Sequence, residues 1–256
     1  AFIEPDIQQL IETGLALIPR DSVLYRMIQD VRGWHAGEPD WHRARAKIAQ
    51  AYGYDRYKGV CHMIPNHAVI LLGLLYGQGD FHRSMSVVNT AGWDTDCNAG
   101  NLGCLLGIRG GLNALTGGPD WLSPLADRLF LVSAEGGEVI TDALRSAGEV
   151  VNTARALRGL PGWEPKDGAR FHFEAPGAVQ GFRAQAQAGQ TAQIKNTAGH
   201  SRAGSRSLAL AWTGEQAAAL TPVFILPEER EISWYVFLAS PALYSGQTLR
   251  AAVTAE

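Results

Sequence analysis

Apolar positions recur every three to four residues through the first 160 residues of the chain, and then give way to short alternating runs. Residues 4–18 carry Ile7, Leu10, Ile11, Leu15 and Ile18 on one helical face, ended by Pro19. Asp21 is placed to cap a second helix striped by Val23, Leu24, Met27, Ile28 and Val31. A loop over 33–39 precedes Asp40, the expected cap of a third helix that runs through Ala51. Residues 52–63 are aromatic-rich and irregular, with Gly53 and Gly59 as breakers. Pro65 suits the first turn of a helix over 66–76 that is apolar nearly all round, and so should be central. Asp80 opens the helix carrying Met85 and Val88, and a further element runs from Asp94 to about Ala114. Two more helical stretches, 121–131 and 138–157, complete an expected all-α bundle over 1–158.

Pro161, Gly162 and Pro165 mark 159–168 as a linker. Beyond it strand-like runs appear at 170–174, 179–184, 192–196, 207–212, 222–226, 232–238 and 247–253, spaced for an antiparallel β-sandwich over 169–256. Phe171, Phe182, Trp212, Phe224, Trp234 and Tyr235 read as sheet core.

Composition narrows the class. An apolar fraction of 46% and a charged fraction of 18% are those of an ordinary globular protein. A net charge of −3 argues against non-specific nucleic-acid binding. No apolar run approaches the ~20 residues of a membrane span, and no basic-then-apolar leader opens the chain. Cys61, Cys97 and Cys104 are too few and scattered for a disulfide framework, and read as buried free thiols. That usage points to a reducing, cytoplasmic setting. Secretion stays open, because the chain begins at Ala1 without Met and the expected N-terminus is incomplete.

The candidate chemistry gathers at Gly92-Trp93-Asp94-Thr95-Asp96-Cys97-Asn98. Two carboxylates one residue apart at a helix start are either a solvated cap pair or hard oxygen ligands for a divalent cation. Gly100, Gly103 and Gly107 would let the following helix lie close against another backbone. Asn98 can orient a ligand carboxylate. His62 and Asn66 flank the start of the central helix, where they can meet substrate or serve as caps. Trp93 can line a pocket or sit in the core.

The run 87–107, with Gly79-Asp80-Phe81 before it, resembles the ADP-ribosylglycohydrolase family, whose closing signature is a Gly-x-Asp-Thr-Asp run entering a small-residue helix. Cys and Asn after the second Asp resemble a bacterial branch. The resemblance implies an all-α catalytic domain, a pair of Mg²⁺ ions with Asp94 and Asp96 among the ligands, and hydrolysis of a ribosyl bond to ADP-ribose. The family residue after the second Asp is a coordinating Thr; here it is Cys97, a soft donor for a hard ion. The family's Thr-Asp-Asp cluster has no counterpart among the scattered Asp6, Asp21, Asp30, Asp40 and Asp55, so the remaining ligands are expected from a missing N-terminal half. The β region resembles the jelly-roll modules of carbohydrate-active enzymes, which implies a glycan partner. Two alternatives stand beside the hydrolase: a non-catalytic scaffold with a glycan- or protein-binding β module, and a metal-dependent hydrolase of another glycoside.

Overall fold

Side-chain caps set the helix starts. In the structure, a computed structural model describing residues 1–131, 139–225 and 241–255, α1 (Ile7–Leu15) is capped by Asp6, α2 (Val23–Gly37) by Ser22 and α3 (Trp41–Tyr52) by Asp40. His62 caps α4 (Met63–Gly77) and Asp80 caps α5 (Phe81–Thr90). The α2 cap is thus Ser22 rather than Asp21, one residue nearer the helix. α6 (Thr95–Gly110) follows, and a 3₁₀ turn over Leu112–Leu115 ends the run.

These elements belong to the first of two compact units, Ala1–Asp120 and Trp121–Glu256. In the first, α4 is the hub, touching α2, α3, α5 and α6. Its apolar circumference explains the position: Val69, Leu72, Leu74 and Leu75 are all buried, alongside Met27, Val31, Ile48, Val88, Leu102 and Leu106 from the surrounding helices. The close approach expected of the α6 glycines belongs instead to α4. A Cβ on Gly73 would stand 2.7 Å from Leu102 Cδ2, and one on Gly77 would collide with Ser84. Gly100 and Gly107 have open space, and Gly103 only an ordinary contact with Met85. The reason is the face that α6 buries: Asn98, Ala99, Leu102 and Leu106 point inward, and its glycines lie off that stripe.

The second unit is mixed. β1 (Arg128–Phe130) pairs antiparallel with β2 (Ile140–Asp142), and α7 (Ala143–Ala156) follows. The helix expected over 121–131 is replaced by turns and β1. Ala126 and Asp127 adopt left-handed backbone, and the Asp127 carboxylate accepts from the N–H groups of Val179 and Gln180 at 2.6 and 2.9 Å. Strand pairing and that anchor override a weak helical period. Similarly, helix 138–157 begins only at Ala143, because Ile140–Asp142 is taken by β2 and the Asp142 side chain caps α7.

β3 (Arg183–Ala186) pairs with β6 (Ala217–Leu220), and β4 (Ala192–Ala198) with β5 (Arg206–Trp212), both antiparallel. The two ribbons touch through β3 and β4. Among the described residues the strands therefore form three two-stranded antiparallel sheets, all within the second unit, whereas the first unit is helical. The expected strand at 170–174 is absent for a visible reason. The N–H groups of His172 and Phe173 donate to Gln180 Oε1 at 2.8 and 2.7 Å, so a buried side chain takes the place of a neighbouring strand. Residues 222–225 and 247–253 are not strand either. The expected strand at 232–238, with Trp234 and Tyr235, lies outside the described residues, as does Leu226. Phe171 and Phe182 stack edge to face at 5.0 Å, in keeping with a core role. Trp212 at the end of β5, by contrast, is 52% exposed, and Phe224, which lies outside the strands, is 39% exposed.

The stretch 159–168 is tied into the second unit. Asn152 exchanges two hydrogen bonds with the Trp163 backbone, at 2.6 and 3.1 Å, and Lys166 Nζ donates to the Arg206 carbonyl at 2.6 Å. Lys166 also pairs with Glu174 at 3.2 Å. Burial works against the charged Glu174 carboxyl, but hydrogen bonds from Ser205, the Arg206 N–H and Lys166 outweigh it, and its pKa falls to about 2 from an ordinary 4.5. A depressed carboxylate stabilises the fold above its unfolded pKa, and that stability is lost as pH falls through the folded value. The second unit should accordingly loosen between about pH 4.5 and 2, and Glu174→Gln should flatten that limb of an acid titration followed by Trp fluorescence. An unchanged titration would show that the Glu174 contacts carry no folding free energy.

Candidate metal centre

The site is built where α6 begins. Gly92 and Trp93 both take left-handed backbone, with φ +80° and +67°, and turn the chain sharply into Asp94. For tryptophan that conformation costs on the order of 1–3 kcal/mol. Arg45 offsets it by lying 3.5 Å over the centre of the Trp93 ring while its Nε donates to the Ala91 carbonyl at 2.8 Å. Tyr54 closes on the same ring at 5.2 Å.

Asp94 occupies the N-cap position of α6, yet it is the exception among the described α-helices: its side chain makes no capping hydrogen bond. The other six helices are capped by Asp6, Ser22, Asp40, His62, Asp80 and Asp142. Its carboxylate faces Asp96 and Cys97 instead, and one donor atom from each of the three lies within 4.8 Å of the others. Burial tends to raise the Asp94 pKa. Hydrogen bonds from the Cys61 thiol, with the Asp96 carboxyl and from the Cys97 thiol outweigh it and hold the carboxyl below its ordinary value. The Cys97 N–H, the donor that would close a cap, contributes least. Reciprocally, the bond to Asp94 pushes both the Cys61 and the Cys97 thiols up.

Behind the carboxylates sits a buried amide pair. Asn66 is 5% exposed and Asn98 is 1%. Asn66 Oδ1 accepts from the Asp94 N–H at 3.2 Å and from Asn98 Nδ2 at 3.0 Å. Asn66 Nδ2 donates to Tyr54 Oη at 2.6 Å and to the His62 carbonyl at 2.9 Å. All four hydrogen-bonding positions of this side chain are used. Asn66, a substrate-contacting candidate by its sequence position, has its side chain engaged with Asp94, Asn98, Tyr54 and His62, and Asn98 donates to Asn66 Oδ1. His62 is a cap: Nδ1 accepts from the Ile64 N–H at 3.2 Å. Trp93 packs between Arg45 and Tyr54.

The cysteines correct the sequence reading. Cys61, Cys97 and Cys104 are free, as expected, but exposed rather than buried. Cys97 and Cys104 do share a face of α6; it is the outer one, because Asn98, Leu102 and Leu106 take the inner. Cys61, Arg45 and Tyr54 are the site residues that sequence reasoning missed. Cys61 lies 33 positions before Asp94 with no spacing motif to mark it, and only its place next to the capping His62 ties it to the start of α4.

The donor set suits a divalent cation through two hard carboxylate oxygens, with soft sulfur beside them. Asp6, Asp40, Asp80 and Asp142 are engaged as caps, and Asp30 accepts from Tyr52 Oη at 2.6 Å. Among the described residues no helix is long and apolar enough to cross a membrane. Searches of curated proteins and of solved structures find no match. The family model for ADP-ribosylglycohydrolase matches residues 1–161, a span that contains the whole of the Asp94 site. The chain belongs to the ADP-ribosylglycohydrolase family, and with it to the glycosidic hydrolases.

Proposed function

We propose that the protein removes ADP-ribose from an ADP-ribosylated substrate, or cleaves a closely related ribosyl bond, at a divalent-metal centre to which Asp94 and Asp96 contribute. One observation carries the reading. Asp94 stands at the position from which a side chain caps each of the other six described α-helices, but it closes no such cap, and its carboxylate lies beside Asp96 and Cys97. A bound divalent ion would supply polarisation of the ribose hydroxyls and a lowered pKa for an attacking water. The chain's own residues do the positioning. Asn66 and Asn98 fix the backbone of Asp94, the Trp93–Arg45 stack fixes the turn before it, and the α6 N-terminus favours negative charge at Asp96.

Two carboxylates do not complete one six-coordinate Mg²⁺, let alone two. The proposal therefore assigns the remaining oxygen ligands to a segment outside these 256 residues, and takes 159–168 as the end of the catalytic region, with the β ribbons as an accessory module for a glycan. The test is ADP-ribose release by the full-length protein in chelator and after divalent metal is restored. Release should be abolished by chelation and recovered on metal addition, and residues 1–256 alone should be silent with Mg²⁺. Undiminished turnover in chelator would refute the metal-centre reading. Release from no ADP-ribosylated substrate, with another glycoside cleaved or none at all, would favour the two alternatives.

A further inference from the structure

We propose that the cleft between the start of α7 and the 163–172 stretch binds an acidic sugar, a hexuronate residue of a glycan. The inference rests on the accessory-glycan reading above and gives that glycan a contact in the segment preceding the ribbons; it does not depend on the metal centre. The cleft lies wholly within the second unit and has a volume of about 330 Å³. That is the small end of the roughly 300–1,000 Å³ range of small-molecule sites, and suits one sugar ring rather than an extended chain. Its lining combines the guanidiniums of Arg145 and Arg170, the carboxylate of Glu164, the apolar surfaces of Trp163 and Pro165, and the imidazole of His172.

The fold holds each of these groups. Asn152 of α7 clasps the Trp163 backbone, and the indole seats on Gly148, where a Cβ would stand 3.2 Å from Cζ3. Trp163 meets His172 edge to face at 5.2 Å. Arg170 Nη2 donates to the Ile140 carbonyl at 2.9 Å, which fixes the side chain without neutralising it. Arg145 Nε lies 4.0 Å from the exposed Glu149, a pair at the outer limit of contact and screened by water. His172 is only 7% exposed. Its Nδ1 accepts from the Glu174 N–H at 3.1 Å, so the proton of the neutral ring sits on Nε2. Burial lowers its pKa below the ordinary 6.5 and keeps the ring neutral. Nε2 has no partner among the described residues, and a buried N–H in a polar lining calls for an acceptor. Two guanidiniums against one carboxylate leave the lining a single positive charge, which matches a monoanion better than a diphosphate. A sugar carboxylate accepts in pairs from guanidinium, its hydroxyls donate to Glu164, a ring or hydroxyl oxygen accepts from Nε2, and its C–H face packs on the indole.

The experiment is calorimetric titration of the 256-residue chain with trigalacturonate, with its methyl ester and with neutral cellotriose. Trigalacturonate should bind at least ~10-fold more tightly than the ester, and added salt should erode that margin. Arg145→Gln should weaken the acid by about 10-fold and leave the ester nearly unchanged. Trp163→Leu should weaken acid and ester by the same factor, since the indole packs on the ring and not on the charge. Gly148→Ala, which displaces the indole without removing any lining group, should act in the same direction and serves if Trp163→Leu does not fold. Equal affinities for acid and ester would overturn the inference, as would trigalacturonate binding that Arg145→Gln and both indole variants leave untouched. Cellotriose bound in preference to either galacturonide would overturn the acidic site and keep the accessory-glycan reading. Binding of none of the three would overturn the inference and that reading together.

Discussion

Replacing Asn66 with alanine is expected to cost the first unit about 3 kcal/mol and to weaken divalent-metal binding by about 10- to 100-fold. The two effects have one origin. Asn66 Oδ1 takes the N–H of Asp94 and the amide of Asn98, and its Nδ2 serves Tyr54 and the His62 carbonyl. Alanine leaves the Asn98 amide without its acceptor in a position that is 1% exposed. An unpaired buried polar group costs roughly 1–3 kcal/mol, and more than one is stranded here. Because the Asp94 backbone is held by the same oxygen, the carboxylate loses its fixed placement even where the fold survives. Urea denaturation should show a lower midpoint, and metal titration of the still-folded protein a weaker site. Asn98→Ala removes only one of the four bonds, so it should be milder in both. Equal metal affinity in Asn66→Ala and the parent would contradict the positioning role.

The legibility of this chain from sequence divides along a physical line. Helices with a strong apolar stripe and an Asp at the start were readable: Asp40 before α3 and Asp80 before α5 cap as the spacing indicates, and α4 is central because it is apolar nearly all round. The Asp94/Asp96 pair was visible for the same reason, since local sequence carries both the carboxylates and the helix they precede. What the sequence did not disclose depends on partners distant along the chain. Residues 121–131 have a helical period, yet Asp127 is claimed by backbone 52 residues later and β1 by β2. Residues 170–174 alternate like a strand, yet Gln180 captures their N–H groups. Cys61 shows no motif, because its relation to Asp94 is made by a left-handed turn in an irregular loop. The α6 glycines suggested close packing, but burial on that helix follows the Asn98–Leu102–Leu106 stripe, and the steric demand falls on Gly73 and Gly77 of its neighbour.

Asp96→Ala is expected to separate function from stability more cleanly than any other change. Asp96 is exposed and lies in the first turn of α6. Its removal should cost the fold less than about 1 kcal/mol, the value of a carboxylate at a helix N-terminus. As a direct ligand it should matter far more to the metal. Loss of an outer partner of a ligand already weakens binding by 10- to 100-fold, so loss of the ligand itself should exceed about 100-fold and take ADP-ribose release with it. Calorimetric titration of divalent metal into the full-length protein and its Asp96→Ala variant, matched by circular dichroism, is the decisive measurement. Helicity should be unchanged, the parent should bind metal and the variant should lose more than about 100-fold in affinity; equal affinities in the two proteins, or no binding to the parent, would refute Asp96 as a metal ligand.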